Sequence, residues 1–459
     1  MRDWKEISAE EYNWRITKAP ERPYIHDYTK AITYKIYMAE PNVEHTASRV
    51  IFNYEDALKI IQEMDAISLG APKIAYLVGW QYLGHDSKYP AWHEMNEALK
   101  RPQDKCAHDS YMWLFEEAKK YNTTLSVHIN MFDAYENSPL WQTYVDNGLI
   151  ATLEDGTLMK VGIWNGQQAY PISYPMEWKT GYAKKRIDEI CELLPLREAG
   201  TVHIDALHCK EDLGHGYTID DARGARRQII RYWRDLGVDI TSEFLYYDTP
   251  SWAPRKESTV GLLPLCYHFS QNLEDYISRP ASLVCGGNTT YRFKEGLTER
   301  FDVLFGCQAD YEPMFNRQGR PEVLFNAFCN TNLRFFYLNS LDRLSVSITD
   351  EAITAYFSDN VTTELYSHTM TKNGALMQKG YDMLIPTEWY EKGTAVAYSA
   401  NGGEFEYDIA KILETDAQSV EVRKYSECGL DDEVTIFKVF DGKISFKLDK
   451  ASAILIKII

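Results

Sequence analysis

Residues 201–246 read TVHIDALHCKEDLGHGYTIDDARGARRQIIRYWRDLGVDITSEFLY. Its two ends, TVHIDAL (201–207) and DITSEFLY (239–246), are near-continuous apolar runs of strand length, each broken by a carboxylate close to its C-terminal end. Between them, IDDARGARRQIIRYWRDLG (219–237) carries a helical pattern. A strand apolar on both faces, a helix and a second such strand make the β–α–β unit of a parallel sheet. The same alternation runs upstream. ITYKIYM (32–38), KIAYLVGW (73–80) and LSVHINMF (125–132) read as strands, and 54–68, 110–121 and 178–194 read as helices. In the first of these helices Ala57, Ile60, Ile61, Met64 and Ile67 recur every three or four residues, which gives one inward-facing stripe.

Polar residues decide between a closed barrel and a doubly wound sheet. His85 and Asp86 follow the second strand, His128 and Asn130 end the third, Asp205 ends the fourth and Glu243 ends the fifth. Polar groups converging from successive strand ends suit a (β/α)8-type barrel with its site at the C-terminal face. A doubly wound sheet would favour one crevice beside a glycine-rich first turn, and no GxGxxG follows a strand here. After 323–341, which reads as a helix, short strands separated by DG and GG turns take over, as expected of a C-terminal antiparallel β-sandwich domain. The expected division is 1–341 for the barrel with its N-terminal extension and 342–459 for the β-domain.

The chain has 459 residues, 45% of them apolar and 13% aromatic, so it can bury a large core. Sixty-seven acidic against 49 basic side chains give a formal charge of −18, which sets nucleic acid and anionic membranes aside as partners and favours a neutral ligand. No 18-residue apolar run and no basic n-region with an apolar h-region appear, so a soluble, cytoplasmic protein is expected. Eight cysteines are scattered without a CxxC pair, which points to reduced thiols rather than a disulfide framework or a zinc site.

Asp205 and Glu243 stand one β–α–β unit apart, at the mouths of neighbouring strands. Two carboxylates across a cleft are the equipment of a glycosidase, and in a retaining enzyme they lie roughly 5–5.5 Å apart. The structural alternative is that Asp205 caps a loop and Glu243 pairs with an arginine such as Arg223. GHDS (84–87) and VHIN (127–130) bring two histidines, an aspartate and an asparagine to the same mouth. These residues suit sugar hydroxyls. They also allow a metal-dependent hydrolase built on His85, Asp86, His128 and Asp205, although no HxH ends the first strand and no metal or other cofactor is expected. Aromatic residues crowd the loops, among them Trp80, Tyr89, Trp92, Tyr135, Trp164, Tyr246, Tyr247 and Trp252, and of these Trp80 and Trp252 are the expected sugar platforms.

The series GHDSKYP, LSVHINMFDAYENSP, HIDAL and TSEF, over about residues 30–310, resembles the catalytic barrel of family 101 and family 129 glycoside hydrolases, the α-N-acetylgalactosaminidases acting on mucin-type O-glycans. The resemblance implies Asp205 as nucleophile, Glu243 as acid/base, and Asp86 with His85 and Asn130 as sugar-binding residues. It departs from the family at Phe244, where a tryptophan usually follows the acid/base. The expected activity is retaining hydrolysis of α-linked N-acetylgalactosamine, or a close relative, from an O-glycan fragment; a carbohydrate-binding barrel without catalysis is the non-enzymatic alternative. As the acid, Glu243 is expected to carry a proton near neutral pH, because burial and the neighbouring Asp205 both disfavour its charge.

Overall fold

The computed structural model describes residues 19–205, 207–244, 259, 261–268, 277, 290–292, 298–300 and 302–459. Its first sheet has six strands, in the spatial order of the chain: β1 (Ile32–Tyr37), β2 (Lys73–Val78), β3 (Thr123–Ile129), β4 (Thr201–Ile204), β5 (Asp239–Phe244) and β6 (Cys266–His268). Strands β3, β4 and β5 run parallel in a continuous register. Every residue of β2 and of β4 is buried, in keeping with their near-continuous apolar runs.

Helices alternate with these strands. Helix α1 (Tyr54–Ile67) starts at Asn53, whose side chain accepts from the backbone of Glu55 and Asp56 at 2.9 and 3.0 Å. Its stripe Ala57, Ile60, Ile61, Met64 and Ile67 is fully buried, as its spacing requires. Helix α2 (Ala107–Lys119) precedes β3. The run 178–194 is not one helix: α3 (Tyr174–Thr180) and α4 (Tyr182–Leu193) are separated by Gly181 at φ 84°, a left-handed conformation that ends the first helix. Helix α5 (Ile219–Asp235) opens with a capping box between Thr218 and Asp221.

The stretch 323–341 is likewise interrupted, with π-helical turns at Phe328–Asn332 between helices Arg320–Ala327 and Leu333–Asn339. Beyond it a ten-stranded antiparallel sheet begins at Arg343, and a two-stranded sheet pairs Gly403–Asp408 with Lys443–Leu448. The strand Thr394–Ser399 is buried at every residue, as befits a central strand. The DG turn expected of a hairpin is formed by Asp441 and Gly442 at φ 51° and 76°.

By its internal contacts the chain forms two compact units. One comprises the described residues up to His26 together with 34–59 and 74–266; the other comprises 27–33, 60–73 and the described residues from 267 to 459. Cys106, Cys191, Cys329 and Cys428 are free thiols, and no described helix is long and apolar enough to cross a membrane.

Candidate active site

The register of β3, β4 and β5 stacks the polar residues in two layers. His128 pairs with His203, and His203 pairs with Thr241. Ser242 lies opposite Ile204, so Glu243 is level with Asp205, one residue further along. Alternation then puts Asp205 and Glu243 on the same face as His203 and Thr241, with Asn130 beside them on β3's continuation. Neighbouring strands lie about 4.8 Å apart, so the two carboxylates occupy adjacent positions at one height.

Their surroundings differ sharply. Glu243 is buried, and its Oε1 accepts from Lys35 Nζ on β1 at 2.7 Å and lies 3.2 Å from His203 Nε2. Burial pushes its carboxyl up, but the Lys35 ammonium and the His203 bond outweigh it and hold the group well below the usual carboxylate range. Glu243 is therefore ionised at neutral pH, contrary to the proton expected on it. A cation reaching across from β1, which burial and the neighbouring Asp205 do not reveal, reverses the expected sign. Arg223 is not the partner; it pairs with Asp220 at 2.8 Å.

Asp205 is half-buried, with Asn130 Nδ2 at 3.4 Å from its Oδ2. Burial, with Glu243 and Asp86 nearby and His85 opposing, raises its carboxyl to about 6. Asp133 is almost wholly buried and is pushed up to about 7, chiefly by burial and further by Asp86 and Asp205, against the Asn130 hydrogen bond.

Asn130 has no exposed surface, and its amide is committed. Oδ1 accepts from the backbone of Phe132 and Asp133 at 2.7 and 2.8 Å, so Nδ2 must face Asp133 Oδ2 at 2.8 Å and Asp205. It braces the nucleophile candidate rather than reaching a sugar, which corrects the binding role expected of it. His128 is also displaced from that role. It is buried, sits one layer lower, and stacks on His203 at 5.1 Å between ring centroids, with burial and the neighbouring histidines and Lys35 keeping it neutral. Trp80 is a further correction: it is fully buried, and its indole N–H donates to the His128 carbonyl at 2.9 Å, so it anchors the core and offers no platform. Tyr89, Trp92 and Tyr135 are buried as well. Tyr246, Tyr247 and Trp252 lie outside the described residues.

Asp86 lies on the loop that follows β2. With Asp205 and Asp133 it lines a cavity of about 700 Å³, walled on other sides by Phe132, Trp164, His208 and Phe244 and by Lys210, Arg223 and Arg226. The loop that carries it is tightly built. Gly79 (φ 77°) and Gly84 (φ 122°) pack against the backbone of Ala39, the His85 amide donates to the Ala39 carbonyl at 2.9 Å, and Asp86 itself takes φ 53°. His85 Nε2 lies 3.5 Å from Asp86 Oδ2. Sequence reasoning passed over Lys35, Asp133, Phe132 and the basic wall. Only Asp133 carried a signal, as a carboxylate three residues after Asn130 in a motif already singled out.

Among the described residues, two groups bring possible metal donors within 4.8 Å of one another: His128, His203 and Glu243, and His85, Asp86 and Asp205. In the first, the Lys35 ammonium already holds the carboxylate, and a second cation there would meet its charge. The second rests on proximity alone.

Residues 24–249 match the family model for endo-alpha-N-acetylgalactosaminidase, glycoside hydrolase family 101. A comparison with curated proteins finds no match. Among solved structures, the ligand-free alpha-N-acetylgalactosaminidase NagBb from Bifidobacterium bifidum superposes with a TM-score of 0.51 at 13% identity, over 75% of this chain and 58% of that one. The same enzyme with Gal-NHAc-DNJ gives a TM-score of 0.50 at 12% identity, over 81% and 60%. The chain thus spans about three fifths of the length of NagBb, and at such identities the likeness is one of fold. Residues 24–249 of this chain are therefore similar to glycoside hydrolase family 101.

Proposed function

We propose that the protein is a retaining α-glycosidase that releases α-linked N-acetylgalactosamine, or a closely related sugar, from O-glycan or glycopeptide fragments. The observation that carries this reading is the placement of Asp205 and Glu243 at one height on one face of adjacent parallel strands, with Asp205 opening into the 700 Å³ cavity. Side chains on neighbouring strands fit the roughly 5–5.5 Å separation of a double displacement better than the 6.5–9.5 Å of inversion. In the first step Asp205 attacks the anomeric carbon as the glycosidic C–O bond breaks, and Glu243 gives its proton to the departing oxygen. In the second, Glu243 takes a proton from water as that water attacks the same carbon and frees Asp205. Asp86 and His85 are the proposed sugar contacts. The proposed catalytic region is 1–341, followed by the β-domain at 342–459.

A screen of aryl α- and β-glycosides, including α-N-acetylgalactosaminide, tests class and sugar together. We expect turnover of α-galacto-configured substrates, reduced by about 10³-fold or more in Asp205→Ala. Wild-type turnover in that variant would remove Asp205 from the mechanism. A metal-dependent hydrolase remains the second reading, on the grouping of His85, Asp86 and Asp205. Dialysis against a chelator is expected to leave turnover unchanged; loss restored by a divalent ion would favour the metal reading.

A further inference from the structure

The paired carboxylates favour protonation of the wrong partner for the proposed reaction, and Lys35 is placed to set that order. Oε1 of Glu243 receives the Lys35 ammonium at 2.7 Å, with the Lys35 and Glu243 side chains only 13% and 11% exposed. His203 adds its Nε2 to the same oxygen at 3.2 Å, while its Nδ1 lies 2.8 Å from Thr241 Oγ1. If Nε2–H donates to Glu243, Nδ1 accepts from the threonine hydroxyl, and the ring is neutral. Both contacts favour a carboxylate at Glu243, since a proton on Oε1 would displace them. Asp205, by contrast, faces Asp86 and Glu243, and the hydrogen bond from Asn130 is long at 3.4 Å. Among the described residues, other ionisable groups that interact with this pair are His85 on the loop after β2, His128 on β3, kept neutral by burial, and Asp133 and Tyr89, both of which feel the charge of Asp205.

We propose that Lys35 is a positioning residue that decides which of the two facing carboxyls takes up the pair's first proton, holding Glu243 ionised so that this proton goes to Asp205 in the free protein. This rests on the glycosidase reading for its consequence, though not for its test. Catalysis requires the opposite arrangement, Asp205 ionised and Glu243 protonated. Glu243 must therefore gain a proton as substrate binds, from Asp205 where Asp205 holds one and from solvent water where it does not, with no other bond made or broken. The reactive arrangement is a minor state of the free protein, and the pair titrates as a unit. Removing Lys35 should make that state the major one and carry the alkaline limb of kcat/KM upward.

The test is carboxyl ¹³C NMR of protein labelled at Asp and Glu, with the two signals assigned by their absence in Asp205→Asn and Glu243→Gln. In the wild type, Glu243 is expected to titrate below the ordinary carboxylate range and Asp205 above it. Lys35→Met should raise the Glu243 midpoint by about one pH unit or more, and Lys35→Arg, which keeps the cation, should not. On an aryl glycoside, the alkaline limb of kcat/KM should move with the NMR midpoint in Lys35→Met and stay in place in Lys35→Arg. A wild-type Glu243 protonated at pH 7, or a midpoint unmoved in Lys35→Met, overturns the inference. Should Lys35→Met not fold, the wild-type titration with Lys35→Gln decides it in the same way. Shifted midpoints without turnover of any glycoside would leave the proton assignment standing and refute the glycosidase reading; turnover with unmoved midpoints would do the reverse.

Discussion

Asp133 shows what the site costs the fold. Its Oδ2 is held by Asn130, its Oδ1 is buried with no hydrogen-bond partner, and its carboxyl sits at about 7. The folded state thus keeps a proton that the unfolded chain gives up near pH 3.9. Where the folded state binds more protons, stability falls as pH rises, here between about 4 and 7, and the penalty is fully developed above 7. Asp133→Asn keeps an acceptor for Asn130 and removes the charge, at the expense of an amide NH2 with two unpaired N–H groups. We expect it to stabilise the protein by about 1–3 kcal/mol at pH 8, with the gain shrinking towards pH 5, as read from denaturant unfolding at both values. An equal effect at the two pH values would mean that Asp133 is not the titrating group. The same scale shows what a sequence conveys. Asp205 and Glu243 were legible because strand ends in one sheet share a mouth, and Asp86 because it follows such an end. Lys35 was not, because its contact with Glu243 crosses 208 residues and depends on the approach of β1 to β5. Trp80 misled because an indole at a strand end looks the same whether its N–H meets a sugar or the carbonyl of His128.

At the level of elements, the glycines around the second strand do the placing. A Cβ on Gly79 would come 2.0 Å from the Ala39 carbonyl oxygen and 2.8 Å from the His85 amide, at a φ of 77° that strains any other residue. Gly79→Ala should therefore cost about 3 kcal/mol or more and push His85 and Asp86 out of position. Denaturant unfolding reads the first effect, and a rise in KM larger than the fall in kcat reads the second. Unchanged stability and KM would show that the strand Ala39–Pro41 yields freely. Periodicity made α1 legible down to its buried stripe. It could not show the break at Gly181, because the apolar spacing runs across it while the backbone conformation does not.

For the whole molecule, the switch from apolar strands separated by helices to short strands separated by turns revealed a parallel sheet followed by an antiparallel one, since the two sheet types bury different numbers of faces. The cavity was less legible. Its basic wall of Lys210, Arg223 and Arg226 stands out on a chain of net charge −18, and it is assembled from a loop and a helix that spacing does not bring together. The central claim is that Asp205 and Glu243 work as a retaining pair, and the anomer formed first reports on it directly. Proton NMR of the wild-type protein turning over an aryl α-N-acetylgalactosaminide should show the α-anomer of the free sugar appearing first, with the β-anomer growing only at the rate of mutarotation. The β-anomer as first product would mean a single displacement by water, and would contradict the assignment of Asp205 as nucleophile.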